Sequence, residues 1–205
     1  EYATSAELAM DAGFDGIELH AANGYLIEQF LNANVNQRTD GYGGSAANRN
    51  RFALEVAAAC VQRIGSQNVG IRLSPYGVFN GTGGFDGVDA QYLDLVTALS
   101  KMQLLYLHLL DHSAMGSPPV PAELKRSLRK AFAGITIFAG GYERDSAEAE
   151  LAAGNADLIA FGRPFISNPD LVARMKAGTP LAPSDAGTYY TPGAKGYTDY
   201  SNAST

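Results

Sequence analysis

The sequence has very few of the residues that cross-link proteins or bind metal clusters. Its 205 residues include one cysteine, Cys60, no tryptophan and three histidines. A single cysteine excludes a disulfide within the chain and cannot hold an iron–sulfur cluster by itself. Cys60 lies in the run Ala-Ala-Ala-Cys-Val, which predicts a packed position on a helix. This cysteine usage favours a reducing, cytoplasmic location.

Long apolar runs and strongly basic segments are also missing. No apolar run reaches the roughly 20 residues that a membrane-spanning helix needs, so we expect no membrane span. The net charge is −6 and the sequence pI is about 5.0, which leaves no electrostatic footprint for nucleic acid. Residues 125–130 are the most basic stretch, and we expect them to form a solvated helix face.

Short apolar runs alternate with helical patterns five times. Strands are predicted over residues 14–19, 69–73, 104–110, 135–139 and 158–161, and helices over residues 6–12, 25–31, 51–64, 89–102, 147–153 and 169–177, with a further helix ending near residue 132. The strands are apolar along most of their length, as in sheets covered on both faces. The alternation predicts a parallel α/β sheet, either doubly wound or closed into a barrel. Both architectures place their sites at the carboxyl ends of the strands.

Glycine-rich turns follow the last two predicted strands. These turns read Ala139-Gly140-Gly141 and Gly162-Arg163. The loops after strands seven and eight of a (β/α)₈ barrel commonly bind phosphate. Glycine lets the backbone approach an anion, and an arginine adds positive charge. The turns therefore predict a phosphate site, with tight turns and a surface arginine as the plainer alternative.

Three polar side chains follow the first predicted strand. His20, Asn23 and Tyr25 fall within six residues. A histidine and an asparagine can both donate hydrogen bonds to an oxygen that gains negative charge, and a tyrosine can deliver a proton. The alternative for His20 is a satisfied polar residue at a strand end.

Two polar residues interrupt apolar strands. Arg72 lies in the second predicted strand and His108 in the third. A buried arginine needs a partner because an unpaired buried charge is very costly. That partner is either a structural salt bridge or an anionic or electron-accepting cofactor. For His108 we expect a hydrogen-bonded core or rim histidine.

Several motifs together resemble the old yellow enzyme family of FMN-dependent ene-reductases. The most specific is His-Ala-Ala-Asn-Gly-Tyr-Leu at residues 20–26. The match continues, in the same order, at residues 36–45, 72–75, 162–171 and 196–200, and it is weakest over residues 82–121. This resemblance implies a (β/α)₈ TIM barrel, of which residues 1–205 supply strands four to eight and the C-terminal tail.

The resemblance also implies a role for each matching residue. His20 and Asn23 would hydrogen-bond the carbonyl or nitro oxygen of a substrate, and Tyr25 would protonate its α-carbon. Arg72 would lie at the N1/C2-carbonyl edge of the flavin. The FMN phosphate would be bound by Ala139, Gly140, Gly141, Gly162 and Arg163. Tyr190 resembles the aromatic residue that family members have near the flavin and the substrate.

The implied reaction has two halves. NADPH or NADH would pass a hydride to FMN, and the reduced flavin would pass it to the β-carbon of an alkene activated by a carbonyl or nitro group. The single cysteine argues against the larger iron–sulfur relatives.

The family barrel has eight strands, and its first three have no counterpart in residues 1–205. We therefore expect a truncated or split product that a complementary N-terminal fragment completes.

Two other interpretations stay open. One is an incomplete barrel that is inactive alone. The other is a non-redox phosphate-binding barrel, which is disfavoured because its strand ends lack a convincing catalytic lysine.

Overall fold

A computed structural model of the chain describes residues 1–202. Within these residues the strands are β1 (Ile17–Ala21), β2 (Val69–Leu73), β3 (Tyr106–Leu110), β4 (Ile135–Ala139) and β5 (Leu158–Ala160). The helices are α1 (Tyr2–Asp11), α2 (Leu26–Leu31), α3 (Ala46–Ile64), α4 (Val88–Lys101), α5 (Ala122–Ala131), α6 (Arg144–Ala152), α7 (Arg163–Ser167) and α8 (Leu171–Ala177).

The five strands form one parallel sheet in the order β1-β2-β3-β4-β5. The predicted parallel α/β sheet is therefore confirmed. A doubly wound sheet reverses its strand order at a switch point, and no reversal occurs here. Each strand instead lies beside the previous one, as in the wall of a barrel. β1 and β5 form the two edges of this wall.

The two faces of the sheet have different chemistry. Helices cover one face, where Leu19, Ile71, Leu107 and Phe138 are buried. The other face carries charged and polar side chains, including Glu18 and Arg72, which are about one-third exposed. Apolar strand residues on that face, such as Leu158, are also exposed. Helices of residues 1–202 thus cover the sheet on one face only. The apolar strand sequences had predicted a sheet that is covered on both faces.

Three element boundaries differ from those predicted. β1 begins at Ile17 and runs to Ala21 because its backbone pairs with β2 from Ile17–Val69 to Ala21–Leu73, so His20 lies inside the strand. α3 begins at Ala46 because the Ser45 side chain accepts a hydrogen bond from the Asn48 backbone N–H at 3.3 Å, a standard N-cap. The predicted helix over residues 169–177 is α8 alone, and α7 precedes it.

The structure bears on three of the simpler expectations. Cys60 is fully buried in α3, which confirms its packing role. The basic stretch is not wholly a solvated face, because the Lys125 ammonium lies 2.6 Å from the buried carboxylate of Asp111. None of the helices in residues 1–202 has both the length and the apolar character needed to cross a membrane.

Candidate functional site

A cavity of about 650 Å³ opens at the carboxyl ends of the strands. It brings together most of the residues that the sequence predicted, which are Asn23, Tyr25, Arg72, Ala139, Gly140, Gly141, Gly162 and Arg163. His20 lies beside it, with its ring centroid 5.1 Å from that of Tyr25. Tyr190 is 96% exposed and is not among the lining residues, so its role stays a prediction.

The first loop after β1 is a tight turn with an unusual backbone. The Tyr25 N–H donates to the Ala22 carbonyl, and the two central residues, Asn23 and Gly24, have φ values of 59° and 70°. Positive φ at both central positions is what a type I′ turn requires. A β-carbon on Gly24 would overlap the carbonyl oxygen of Phe79, so only glycine fits there. This turn sets the direction of the Asn23 side chain and the start of α2.

The side chains of this loop can act on an oxygen atom. Burial, and then the charge of Arg72, lowers the pKa of His20, so its imidazole is neutral near pH 7 and keeps one N–H donor. The Asn23 Oδ1 atom is buried and has no hydrogen-bond partner within residues 1–202. The Tyr25 side chain is half exposed at the cavity. The loop therefore brings an imidazole N–H, an amide side chain and a phenol together at one site.

Arg72 has a protein partner that the sequence did not reveal. Its Nε atom lies 3.3 Å from Glu18 Oε1, and Glu18 Oε2 lies 2.9 Å from His108 Nδ1. Burial alone would raise the pKa of Glu18, but the His108 hydrogen bond and the Arg72 charge outweigh it and lower that pKa. The structural salt bridge is thus present, and Arg72 also lines the cavity. His108 is 5% exposed, which confirms the predicted core histidine.

The strand-end glycines Gly140, Gly141 and Gly162 line one part of the cavity, here called the glycine cradle. Gly140 has φ 127°, and a β-carbon there would overlap the Asp111 carbonyl oxygen. Gly141 has φ 72°, and its β-carbon would lie 2.5 Å from the Ala114 side chain. Gly162 has no atom within 4 Å of its β-carbon position, so its backbone is open to the cavity. With the exposed Arg163 beside it, this donor set fits a phosphate group.

Two residues of the cavity lining were not predicted from the sequence. Asn80 and His112 both line the cavity. Burial, with help from Arg72 and Arg163, lowers the pKa of His112 even though Asp111 opposes the change, so this histidine is neutral. His112 directly follows Asp111, a strand-end residue, and that position was the available signal.

Glu28 lies behind the loop that follows β1, residues 22–25, and was also missed. It is 1% exposed, and burial raises its pKa to about 7 despite hydrogen bonds from Gly24, Ser74 and Tyr92. Its position on an otherwise apolar helix face, among Ile27 and Leu31, was the available signal. A charged residue there is costly unless it has partners.

The raised pKa of Glu28 predicts a pH-dependent stability. Between its ordinary pKa of 4.5 and about 7, the folded protein holds a proton that the unfolded chain has released. The free energy of unfolding should therefore fall as pH rises through this window, by up to about 3 kcal/mol. Glu28→Gln should be more stable than the parent at pH 8, and the two should converge near pH 5. Urea unfolding at both pH values, with the exposed Glu123→Gln as control, measures this difference; parallel pH profiles for Glu28→Gln and the parent would contradict it.

Comparison with known proteins connects this cavity to a family. The family model described as NADH:flavin oxidoreductase / NADH oxidase matches residues 1–182. Chanoclavine-I aldehyde reductase fgaOx3 of Penicillium roqueforti is 45% identical, over 98% of this chain and 56% of its own length. 12-Oxophytodienoate reductase 2 of Arabidopsis thaliana is 42% identical, over 98% of this chain and 54% of its own length.

Solved structures give the same result. Morphinone reductase superposes with a TM-score of 0.93 at 40% identity, over 98% of this chain and 54% of its own. Its complex with tetrahydroNAD superposes with a TM-score of 0.92 over 99% of this chain. The chain spans about half the length of these relatives, and its parallel sheet is part of a TIM barrel. The chain belongs to the NADH:flavin oxidoreductase / NADH oxidase family, which is the old yellow enzyme family.

Proposed function

We propose that this protein is an FMN-dependent ene-reductase that uses NADPH or NADH to reduce alkenes activated by a carbonyl or nitro group. One observation carries the proposal. A single cavity is lined by Asn23 and Tyr25 of the loop after β1, by the glycines that follow β4 and β5, and by Arg72. A cytoplasmic location remains a prediction from the cysteine content.

The residues of the cradle and of β2 would hold FMN. The Gly140, Gly141 and Gly162 backbone and the Arg163 side chain would bind its phosphate, because exposed N–H groups and a guanidinium both favour an anion. Arg72 would stabilise negative charge on the ring system, with its orientation held by Glu18 at 3.3 Å. When bound, FMN supplies the hydride-transfer chemistry that side chains lack.

The loop after β1 would act on the substrate. The N–H groups of neutral His20 and Asn23 would donate to the carbonyl or nitro oxygen and stabilise the negative charge that develops there. The Tyr25 O–H would give its proton to the α-carbon. Water would return that proton to the Tyr25 oxygen. The chain thus supplies orientation, charge stabilisation and one proton.

The open edges of the sheet support completion by further strands. Beside β5 lies a groove of about 690 Å³ whose lining includes Leu158, Phe165 and Val172, and these three side chains are exposed. The sheet face opposite the helices is likewise left uncovered by residues 1–202. We propose that a strand-bearing N-terminal segment closes the barrel and covers these surfaces.

A visible absorption spectrum tests the function. We expect protein completed with the N-terminal half of a relative to bind FMN, to lose its flavin bands on addition of NADPH and to regain them with an enone. The 205-residue chain alone is the matched comparison, and it should bind FMN more weakly because its five strands form an open sheet. A completed protein that ignores FMN would contradict the proposal and favour the non-redox phosphate-binding barrel.

That alternative is weaker on the structure as well. A non-redox isomerase or aldolase barrel usually has a catalytic lysine or glutamate at a strand end. Within residues 1–202 no lysine lines the cavity, and Lys125 is paired with Asp111. Glu143 does line the cavity, but its side chain takes part in the capping box that begins α6.

A further inference from the structure

The loop of residues 22–25, here called the substrate loop, rests on a largely buried hydrogen-bond chain that ends at one carboxylate. The Asn23 N–H donates to Ser74 Oγ at 2.8 Å, and the Ser74 hydroxyl donates to Glu28 at 2.9 Å. The Gly24 N–H donates directly to Glu28 Oε2 at 2.5 Å. Both residues of the turn that have positive φ are therefore connected to Glu28, one directly and one through Ser74.

This connection matters because the turn has a backbone conformation that residues other than glycine seldom adopt, although asparagine is among those that tolerate it best. A non-glycine residue in the left-handed region costs on the order of 1–3 kcal/mol and persists only where its surroundings hold it. Asn23 has φ 59°, and its amide N–H is held by the chain that leads to Glu28. The opposite side of the turn is held at the Gly24 carbonyl, which accepts from Gln29 at 2.6 Å and from Asn80 at 3.2 Å.

We propose that Glu28 is a positioning residue: its ionised carboxylate holds the Asn23–Gly24 turn in the geometry that binds the substrate oxygen, and its protonation loosens that turn. This inference rests on the proposed function for its consequence, although the structural part stands without it. Glu28 does not line the cavity, so it acts through Asn23 and Gly24 and is not itself a catalytic residue.

The chemistry of the carboxyl group explains the direction. An ionised carboxylate only accepts hydrogen bonds, and here it faces three donors, the Gly24 N–H, the Ser74 hydroxyl and the Tyr92 hydroxyl, the last at 3.4 Å. A protonated carboxyl group adds a fourth hydrogen to a site that already has three. The Ser74 and Tyr92 hydroxyls can also accept, so a proton on Oε1 reverses one of their bonds, and a proton on Oε2 weakens the bond from the Gly24 N–H. Reversal at Ser74 changes the group that holds the Asn23 N–H.

Among the groups of this hydrogen-bond chain, Glu28 is the one that titrates near neutral pH. Tyr92 on α4 is the titratable side chain that contacts it, and burial raises the pKa of Tyr92 well above its ordinary value, so it stays protonated. Ser74 and the Gly24 backbone do not titrate. Within residues 1–202 no ion pair joins Glu28 to a charged side chain from β1, β2 or α3.

Backbone NMR of the FMN-loaded, completed protein tests the proposal. The Asn23 and Gly24 amide signals should shift together between pH 5.5 and 8.5 with a midpoint near the Glu28 pKa of about 7. Glu28→Gln should abolish both transitions, and exposed Glu123→Gln should keep them. Ser74→Ala should keep the Gly24 transition and remove that of Asn23.

The KM for an enone should rise by roughly tenfold on acidification in the parent, as for one lost hydrogen bond, and stay constant in Glu28→Gln.

The outcomes separate this inference from the proposed function. Transitions that persist in Glu28→Gln, or that are absent from the parent, overturn the positioning role even when the protein reduces enones. Transitions that follow the expected pattern in a protein that does not reduce enones support the positioning role and count against the function.

Discussion

Tyr25→Phe should slow enone reduction by about 10²–10⁴-fold, the usual contribution of a positioned proton donor. The change removes only the hydroxyl, so the ring that lies 5.1 Å from His20 is retained. Reduction of the bound flavin by NADPH needs no proton from Tyr25 and should change by less than about twofold. Stopped-flow absorbance at the flavin bands measures the two half-reactions separately.

A matched control is available for this substitution. Tyr197 is 54% exposed, nearly the same as the 55% of Tyr25, and its hydroxyl donates to the Tyr189 carbonyl in the tail. Tyr197→Phe should leave both half-reactions unchanged. If Tyr25→Phe slowed flavin reduction as much as enone reduction, the phenol would have a structural role in the loop and no role as the proton donor.

Two alanine variants should distinguish a glycine that is needed for folding from one that is needed for phosphate binding. They are Gly140→Ala and Gly162→Ala. At Gly140 the new methyl group would overlap the Asp111 carbonyl oxygen and φ is 127°, so the backbone must move. We expect a loss of about 2–4 kcal/mol in the free energy of unfolding. At Gly162 φ is −98° and no atom lies within 4 Å of the new methyl group. Its stability should change by less than about 0.5 kcal/mol.

FMN affinity should show the complementary pattern. The Gly162→Ala methyl group would occupy the space where the phosphate is predicted, so FMN binding should weaken by roughly tenfold or more although the fold is intact. Urea unfolding without FMN, followed by a fluorescence titration with FMN, gives both quantities for each variant. Unchanged FMN affinity in Gly162→Ala would contradict the phosphate site at this turn.

Short-range features of the site could be predicted from the sequence. The spacing of His20, Asn23 and Tyr25 is local, and so are the glycine turns after β4 and β5. Such residues meet because a strand end and the following turn bring together neighbours in the chain. The cavity confirms that the two regions lie at one edge of the sheet, as parallel strands require.

Long-range partners could not be predicted in this way. Glu18 meets His108 across 90 residues and Ser74 meets Glu28 across 46, and in each case strand register or helix packing selects the pair. The same holds for Lys125. Only the packing of α5 brings its ammonium group to the carboxylate of Asp111. One charged residue has many possible partners in a chain of this length, and nothing local distinguishes among them.

The sequence by itself therefore determined the strand–helix alternation, the turns that need glycine and the local groups at the strand ends. Only the tertiary structure decided which partner neutralises Arg72, that His20 lies inside β1, and that a buried carboxylate supports the substrate loop. The physical reason is that turns and caps depend on a few adjacent residues, whereas pairing of buried charges depends on register and packing between segments far apart in the chain.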